Sequence, residues 1–517
     1  MDPNEVIETK VTALDDNNAQ VMDTTVAENN EEEVVDITPL DNDEDLKNQD
    51  TEPNDEEKIE PAEDEDVSDE SVVEIAEEAI AAQSDSPFRE SDEPVKPPSP
   101  WTASVIISLL TEFFSLSADA AYFIAITILM LSVSSVVTMG FTLMLGYLPR
   151  LIILIFSDTF ERFSPKKLMV TSNAVRAIAV CIQSWLLAQG HQGGKEYVVI
   201  IFVLIYGIAD AFYFPALSLF PALSTVYLRN ISKINAAVQV VNLLAVATGS
   251  WLGGWLISIY YQTDKVIDTI WPAFLIIGLT QVVAFILLLF TKFIDASLLQ
   301  HPPLPTLKDS FKEARREGST YEMLIFVAIT SILVSGIGFA GIPALAKDIW
   351  NSPTVFGMLF SSWAIGNIIG AIVSLFVSVE FFKAPWFSII IVVSTCAIAA
   401  CFGIFTYVIE LNFLYSANFL VGVLDTFNIF IIFQWFRSMT HMPRLANFLL
   451  IASQGTQPLG IIIQAILYEI FEKKSFLYAS IAIAVMSITM VFFRSFRNAG
   501  PQEYKPLLDS ENSEHEV

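Results

Sequence analysis

Five charged side chains, Asp119, Arg150, Arg176, Asp210 and Asp425, stand inside long apolar runs and not in the polar stretches between them. In a run that crosses a bilayer, a charge at the centre costs on the order of 3 kcal/mol, so it is usually paired and often functional. Two chemistries are open to these residue types. The first half of the apolar region holds two acids and two bases, which would cancel as structural ion pairs if they met. Alternatively, one or more of the acids takes up a proton or touches a solute. Asp425 has no mid-run base in its own half, which makes it the most interesting acid for loading and unloading a proton. Glu112, closer to the start of its run, is the weaker candidate.

Uncharged polar residues in the same runs, Asn242, Asn367, Asn428, Gln434, Gln454 and Gln457, either line a central cavity or bond helix to helix. For any one of them the second role is the commoner. Most of the 39 Phe and 9 Trp must face lipid or pack, while Phe214, Trp363 and Trp435 are candidates for contact with an amphipathic ligand. Other chemistries find no residues. Cys181, Cys396 and Cys401 all fall in apolar runs and pack as small hydrophobes. His191, His301, His441 and His515 are scattered, so neither a metal centre nor a catalytic triad is expected. No Gly-rich phosphate cradle precedes a Lys-Ser/Thr pair, which argues against ATP-driven work. No basic patch suits nucleic acid, and no cofactor or enzyme activity is implied.

The elements that must position these charges are long apolar helices. The chain combines 53% hydrophobic content and a mean hydropathy of +0.52 with a formal charge of −30. Residues 1–100 hold 34 acids and 5 bases, whereas the other 417 residues hold 24 acids and 23 bases. The acidity belongs to a tail that cannot bury enough apolar surface to order itself, so 1–100 is expected to be a disordered cytosolic segment. A transient helix is possible over Ser71–Gln83, and no apolar signal segment follows Met1. The prolines before Trp101 mark the boundary.

From 104 onward the sequence is a succession of apolar runs of about 20 residues, the length that spans a hydrocarbon core of about 30 Å. Twelve spans are expected at 104–131, 135–157, 167–189, 197–224, 234–258, 270–291, 323–346, 354–378, 385–408, 410–436, 445–469 and 475–494. The fold class is therefore an all-α membrane protein of twelve transmembrane helices. With both termini cytosolic, 16 Lys/Arg lie on the cytosolic side and five outside, as the positive-inside rule requires. Residues 292–322 form a longer cytosolic linker, Pro-rich at first and then an amphipathic helix near 306–317. It divides the body into six-helix halves, 101–291 and 323–495, an organisation of transporters built from repeats. Residues 496–517 form a second disordered cytosolic tail. In it Glu503, Leu507 and Leu508 have the acidic-dileucine spacing read by sorting adaptors.

Several motifs carry a family resemblance. The polar loop after the second span has Ser157, Glu161, Arg162, Lys166 and Lys167, with Asp158 as a second register for its acid and Pro149 upstream. Pro215-Ala216 and Pro221-Ala222 form a repeated pair at the end of span four, followed by Asn235-Ala236 and by Gly249, Gly253 and Gly254 in span five. Gly366 and Gly370 recur at a four-residue spacing, and Gln457-Pro458-Leu459-Gly460 opens the last part of span eleven. Together these resemble the major facilitator superfamily, in particular its twelve-helix drug and siderophore exporters, over about 104–495.

The resemblance implies the major facilitator fold and alternating access about a midplane cavity. It further implies a proton-coupled antiporter exporting a small amphipathic solute, with 157–167 as a gating loop and the span-five glycines as its antiporter motif. Span four lacks the arginine that many relatives carry there, since Tyr206-Gly207-Ile208 offers no base. A nutrient uniporter or symporter is the nearest alternative. A transport-dead receptor or scaffold working through the acidic tail is the alternative of a different class. The expected partners are a solute, protons, the bilayer and a sorting adaptor at the C-tail. The expected state is a monomer in the plasma, endolysosomal or vacuolar membrane.

Overall fold

In the computed structural model the described residues are 101–155, 164–189, 195–218, 228–262, 265–292, 315, 319–377, 386–439, 448–449 and 451–492. They are helical, with no strand among them. The first six long helices are α1 (Ala103–Val133), α2 (Val136–Ile155), α3 (Pro165–Ala188), α4 (Lys195–Ser218), α5 (Leu228–Tyr260) and α6 (Trp271–Leu289), with one helical turn, Val266–Thr269, just before α6. The second six begin with α7, where Ser319–Gly336 continues through a π turn, Ile337–Gly341, into Ile342–Trp350. They go on with α8 (Pro353–Ser374), α9 (Trp386–Ile404), α10 (Leu411–Met439), α11 (a π turn at Ile451–Gly455, then Gln457–Phe471) and α12 (Lys474–Met490).

Local sequence explains where the helices start and stop. Thr102 caps α1 by accepting from the Val105 amide at 3.3 Å, and Ser352 caps α8, which has Pro353 in its first turn. Asn351 ends α7 in the left-handed region, with φ 44°. Between α1 and α2 the helix breaks only at Ser134–Ser135, and a short non-helical stretch separates α9 from α10. The two π turns went unforeseen. Each precedes a proline, Pro343 or Pro458, which lacks an N–H and crowds the carbonyl four residues back. Widening the preceding turn relieves that crowding.

Among the described residues, ten helical spans are long and apolar enough to cross a membrane; α12 is shorter and α11 is broken by its π turn. Large apolar side chains such as Ile178, Trp185, Leu279 and Val393 stand exposed on the helix surfaces. Water would penalise that surface and hydrocarbon would not. The protein is an all-helical, multi-pass membrane protein.

Packing repeats with a period of six helices. In the first half α1 packs on α5 and α6, α2 on α4, and α3 on α4 and α6. In the second half α7 packs on α11 and α12, α8 on α10, and α9 on α10 and α12. The halves meet through α5 with α8 and α2 with α11. The glycines of α5 serve these contacts. A Cβ at Gly249 or Gly253 would run into the α1 backbone at Ser117 or Ala121, and one at Gly254 would lie 2.8 Å from Cα of Gly357 on α8. Three small residues on one helix thus seat two neighbours, one from each half.

Candidate functional site

The charges of the first half come from four different helices and meet. Arg176 on α3 is wholly buried. Its Nη1 lies 2.6 Å from Asp119 Oδ2 on α1 and 3.4 Å from Asp210 Oδ1 on α4. Arg150 on α2 binds Asp210 Oδ2 from the other side through Nε and Nη2, both at 2.5 Å. Two acids and two bases therefore cancel across α1 to α4. Removing one member of such a buried set typically costs about 3–5 kcal/mol, because the survivor keeps an uncompensated charge.

Neutral side chains complete the setting. Tyr206 on α4 donates its hydroxyl proton to Asp119, and Gln281 Nε2 on α6 donates to Asp119 Oδ1 at 2.6 Å. Arg176 Nη2 donates to Ser115 Oγ at 2.9 Å and to Asn173 Oδ1 at 2.6 Å. The Tyr213 ring lies 4.5 Å from the Arg176 guanidinium carbon, and the Tyr147 ring 5.3 Å from that of Arg150. Tyr206 stacks on Tyr122 at 4.2 Å between ring centres, and Tyr122 donates to Gln183 Oε1 at 2.8 Å. Glu112 is buried, and its Oε2 accepts from the Tyr213 hydroxyl at 2.5 Å.

Sequence reading had not singled out Ser115, Asn173, Tyr213 or Gln281. A signal was available on α1, where Ser108, Glu112, Ser115, Asp119 and Tyr122 recur at alternating spacings of four and three. That repeat places them on one face of a helix.

The second half is different. Asp425 on α10 is half-buried and has no hydrogen-bond or ion-pair partner among the described residues. Asn428 ties α10 to α9, accepting from Ser394 at 2.5 Å and donating to Thr395 at 3.3 Å. The Asn367 amide, turned to satisfy its neighbours, donates to the Gly422 carbonyl at 2.9 Å and so ties α8 to α10. Asn242 keeps a buried Oδ1 without a partner among the described residues. Trp363 packs at 5.2 Å on Phe360, part of an aromatic cluster with Phe123, Phe339 and Phe356 that bridges the halves. The side chains of Phe214 and Trp435 lie outside the described residues.

Of the loop motif, Lys166 donates to the Thr291 carbonyl at 2.6 Å, just beyond α6, and Lys167 is exposed. A cation at a helix C-terminus is favoured by the helix dipole. Ser157, Asp158, Glu161 and Arg162 lie outside the described residues, as do Glu503, Leu507 and Leu508. Segments 71–83 and 306–317, where helices were expected, also fall outside them, apart from Arg315.

On the far side, where α1 joins α2, further contacts tie the halves. Lys347 at the end of α7 donates to the Leu131 carbonyl in the last turn of α1. Glu469 on α11 accepts from the Val136 amide, the first of α2, at 3.2 Å. Tyr261 donates to Asn351 at 2.9 Å. A cation thus meets a helix C-terminus and a carboxylate meets a helix N-terminus, both favourable to the helix dipoles.

By sequence, no family model and no curated protein matches the chain. Solved structures do match its fold. The nucleoside transporter NupG superposes with a TM-score of 0.56 at 14% identity, over 76% of this chain and 99% of that one. A D-xylose–proton symporter gives 0.59 at 11% identity, over 75% and 97%. A bacterial homolog of the human lysosomal transporter Spinster, inward-facing and unoccupied, gives 0.53 at 12%, over 77% and 96%. The protein has the major facilitator fold.

Proposed function

We propose that the protein is a secondary transporter that exports a small amphipathic solute by alternating access, driven by protons. The observation that carries this reading is the Asp119–Arg176 pair, at 2.6 Å on two helices of one half, within a network of formally zero charge. Protonating Asp119 takes away the charge that holds Arg176 to α1. Arg176 is then left with Asp210, which already binds Arg150. Two arginines sharing one carboxylate is a changed set of helix contacts, and a proton is what changes it.

The repeated six-helix packing supplies the two bodies that must move. The ties at Lys347, Glu469 and Asn351 belong to a state closed on the far side, and opening that side requires them to break. With the termini in the cytosol, the far side faces away from it. Proteins named as nucleoside and proton-coupled xylose transporters share the fold, which supports transport of a small solute. Asp425, without a partner among the described residues, is a further proton or solute contact in this scheme.

Purified protein in liposomes, assayed for solute flux with and without an imposed pH gradient over a panel of amphipathic compounds, tests this reading. Gradient-driven flux is the expected result. Flux that ignores the gradient would sink proton coupling, and flux unchanged on deleting residues 1–98 would separate transport from any role of the tail.

A further inference from the structure

The polar face of α1 continues past Asp119 toward the start of the helix. Eight buried side-chain N or O atoms among the described residues have no hydrogen-bond partner, and five of them belong to side chains at or before Asp119 along this seam. They are Ser108 Oγ and Glu112 Oε1 of α1, Asn173 Nδ2 and Arg176 Nε of α3, and Gln281 Oε1 of α6. All five side chains are more than nine-tenths buried. Buried polar atoms are ordinarily satisfied by protein or by ordered water, so unsatisfied donors and acceptors gathered beside the Asp119–Arg176 network are the atoms to which water would bond.

Glu112 sits partway along that seam. Tyr213 occupies its Oε2 at 2.5 Å, which leaves Oε1 free to form an O–H bond. Seven residues of helix separate Glu112 from Asp119, a rise of about 10 Å. That is too far for direct transfer, and Ser115 stands between them with its hydroxyl in the same network. The charged and titratable groups around Glu112 are Tyr213 and Asp210 of α4, Arg176 of α3 and Asp119 of its own helix. Gln281, the side chain that α6 brings to the seam, is uncharged, and Lys233 of α5 is exposed at the surface.

We propose that Glu112 is a second proton-carrying carboxyl, and that the seam between α1, α3, α4 and α6 is a hydrated proton path joining it to Asp119. The inference rests on the reading of Asp119 as the coupling group. A proton arriving from the end where α1 begins bonds to Glu112 Oε1, and water there loses it. It leaves from the same oxygen toward Ser115 and Asp119, so that Glu112 is regenerated as a carboxylate. The path runs inside the first half and does not pass through the space between the halves.

Infrared difference spectroscopy of the full chain in lipid, comparing acid with alkaline buffer and H2O with D2O, tests this without any solute. The protonated-carboxyl C=O band should contain a component that Glu112→Gln removes and that Asp119→Asn leaves in place. Tyr213→Phe keeps the carboxyl and deletes only its hydrogen bond, so it should shift that component; it serves equally if Glu112→Gln fails to fold. A spectrum in which Asp119→Asn removes a component and neither Glu112→Gln nor Tyr213→Phe changes one overturns the relay and leaves coupling at Asp119 standing. A band that no variant alters overturns both.

Discussion

Arg176 and Asp119 are joined by a 2.6 Å ion pair between α3 and α1, and the arginine has no surface exposed at all. A guanidinium held that deep depends on its acids. Arg176→Gln should destabilise the folded protein by about 3–5 kcal/mol, read as a fall in thermal unfolding temperature in detergent. The double variant Arg176→Gln/Asp119→Asn should recover part of that loss, since it removes both charges. A double variant as unstable as the sum of the two single ones would deny the pairing.

Asp425 should behave in the opposite way. It has no partner among the described residues, so removing its charge relieves a desolvation penalty. Asp425→Asn should raise stability by about 1–3 kcal/mol while abolishing gradient-driven flux. A destabilised variant would mean that the carboxylate is structurally paired.

The seat of α8 on α5 depends on Gly254 and Gly357, whose backbones meet where a Cβ would lie 2.8 Å from the facing Cα. A cysteine pair at Ala247 and Ser361, joined here by a 2.9 Å hydrogen bond, should crosslink in a background freed of Cys181, Cys396 and Cys401. Gly254→Val should abolish the crosslink. If the crosslink survives, α5 and α8 do not need that close approach.

On the far side, Lys347 and Glu469 each answer a helix dipole of the other half. Such contacts contribute about 0.3–1 kcal/mol each, so Lys347→Ala with Glu469→Gln should raise the population open on that side by several-fold. Labelling of a cysteine placed at Leu131 by an impermeant maleimide reads that population. Equal labelling rates in the variant and the parent would remove both residues from the closure.

Much of the fold was legible because hydrocarbon imposes a length and a composition on every span. The twelve runs read from apolar length correspond to α1 to α12, their ends differing by up to six residues where those ends are described, and the glycines of span five sit where backbones touch. The π turns were not legible from hydropathy, because Pro343 and Pro458 act through backbone sterics, which an average over apolar length does not register. The site was legible only in its charges. Asp119, Arg150, Arg176 and Asp210 stand out by the cost of placing them in lipid, whereas Tyr206, Tyr213 and Gln281 are cheap enough to pass as packing. Which charges pair depends on how four helices rotate about their axes, and no spacing within one helix carries that information. Arg176 came from α3 and Arg150 from α2 to serve Asp210 on α4, the helix whose own missing base had been the visible departure.

The most direct test of the account is Asp119→Asn in proteoliposomes, measured for solute accumulation against its gradient and for solute exchange at equilibrium. The account predicts that accumulation driven by a pH gradient is lost while exchange persists, because a neutral amide in place of the carboxylate leaves the two halves able to move but unable to answer a proton. Accumulation that persists in this variant would contradict it, and would return the Asp119–Arg176 pair to a purely structural role.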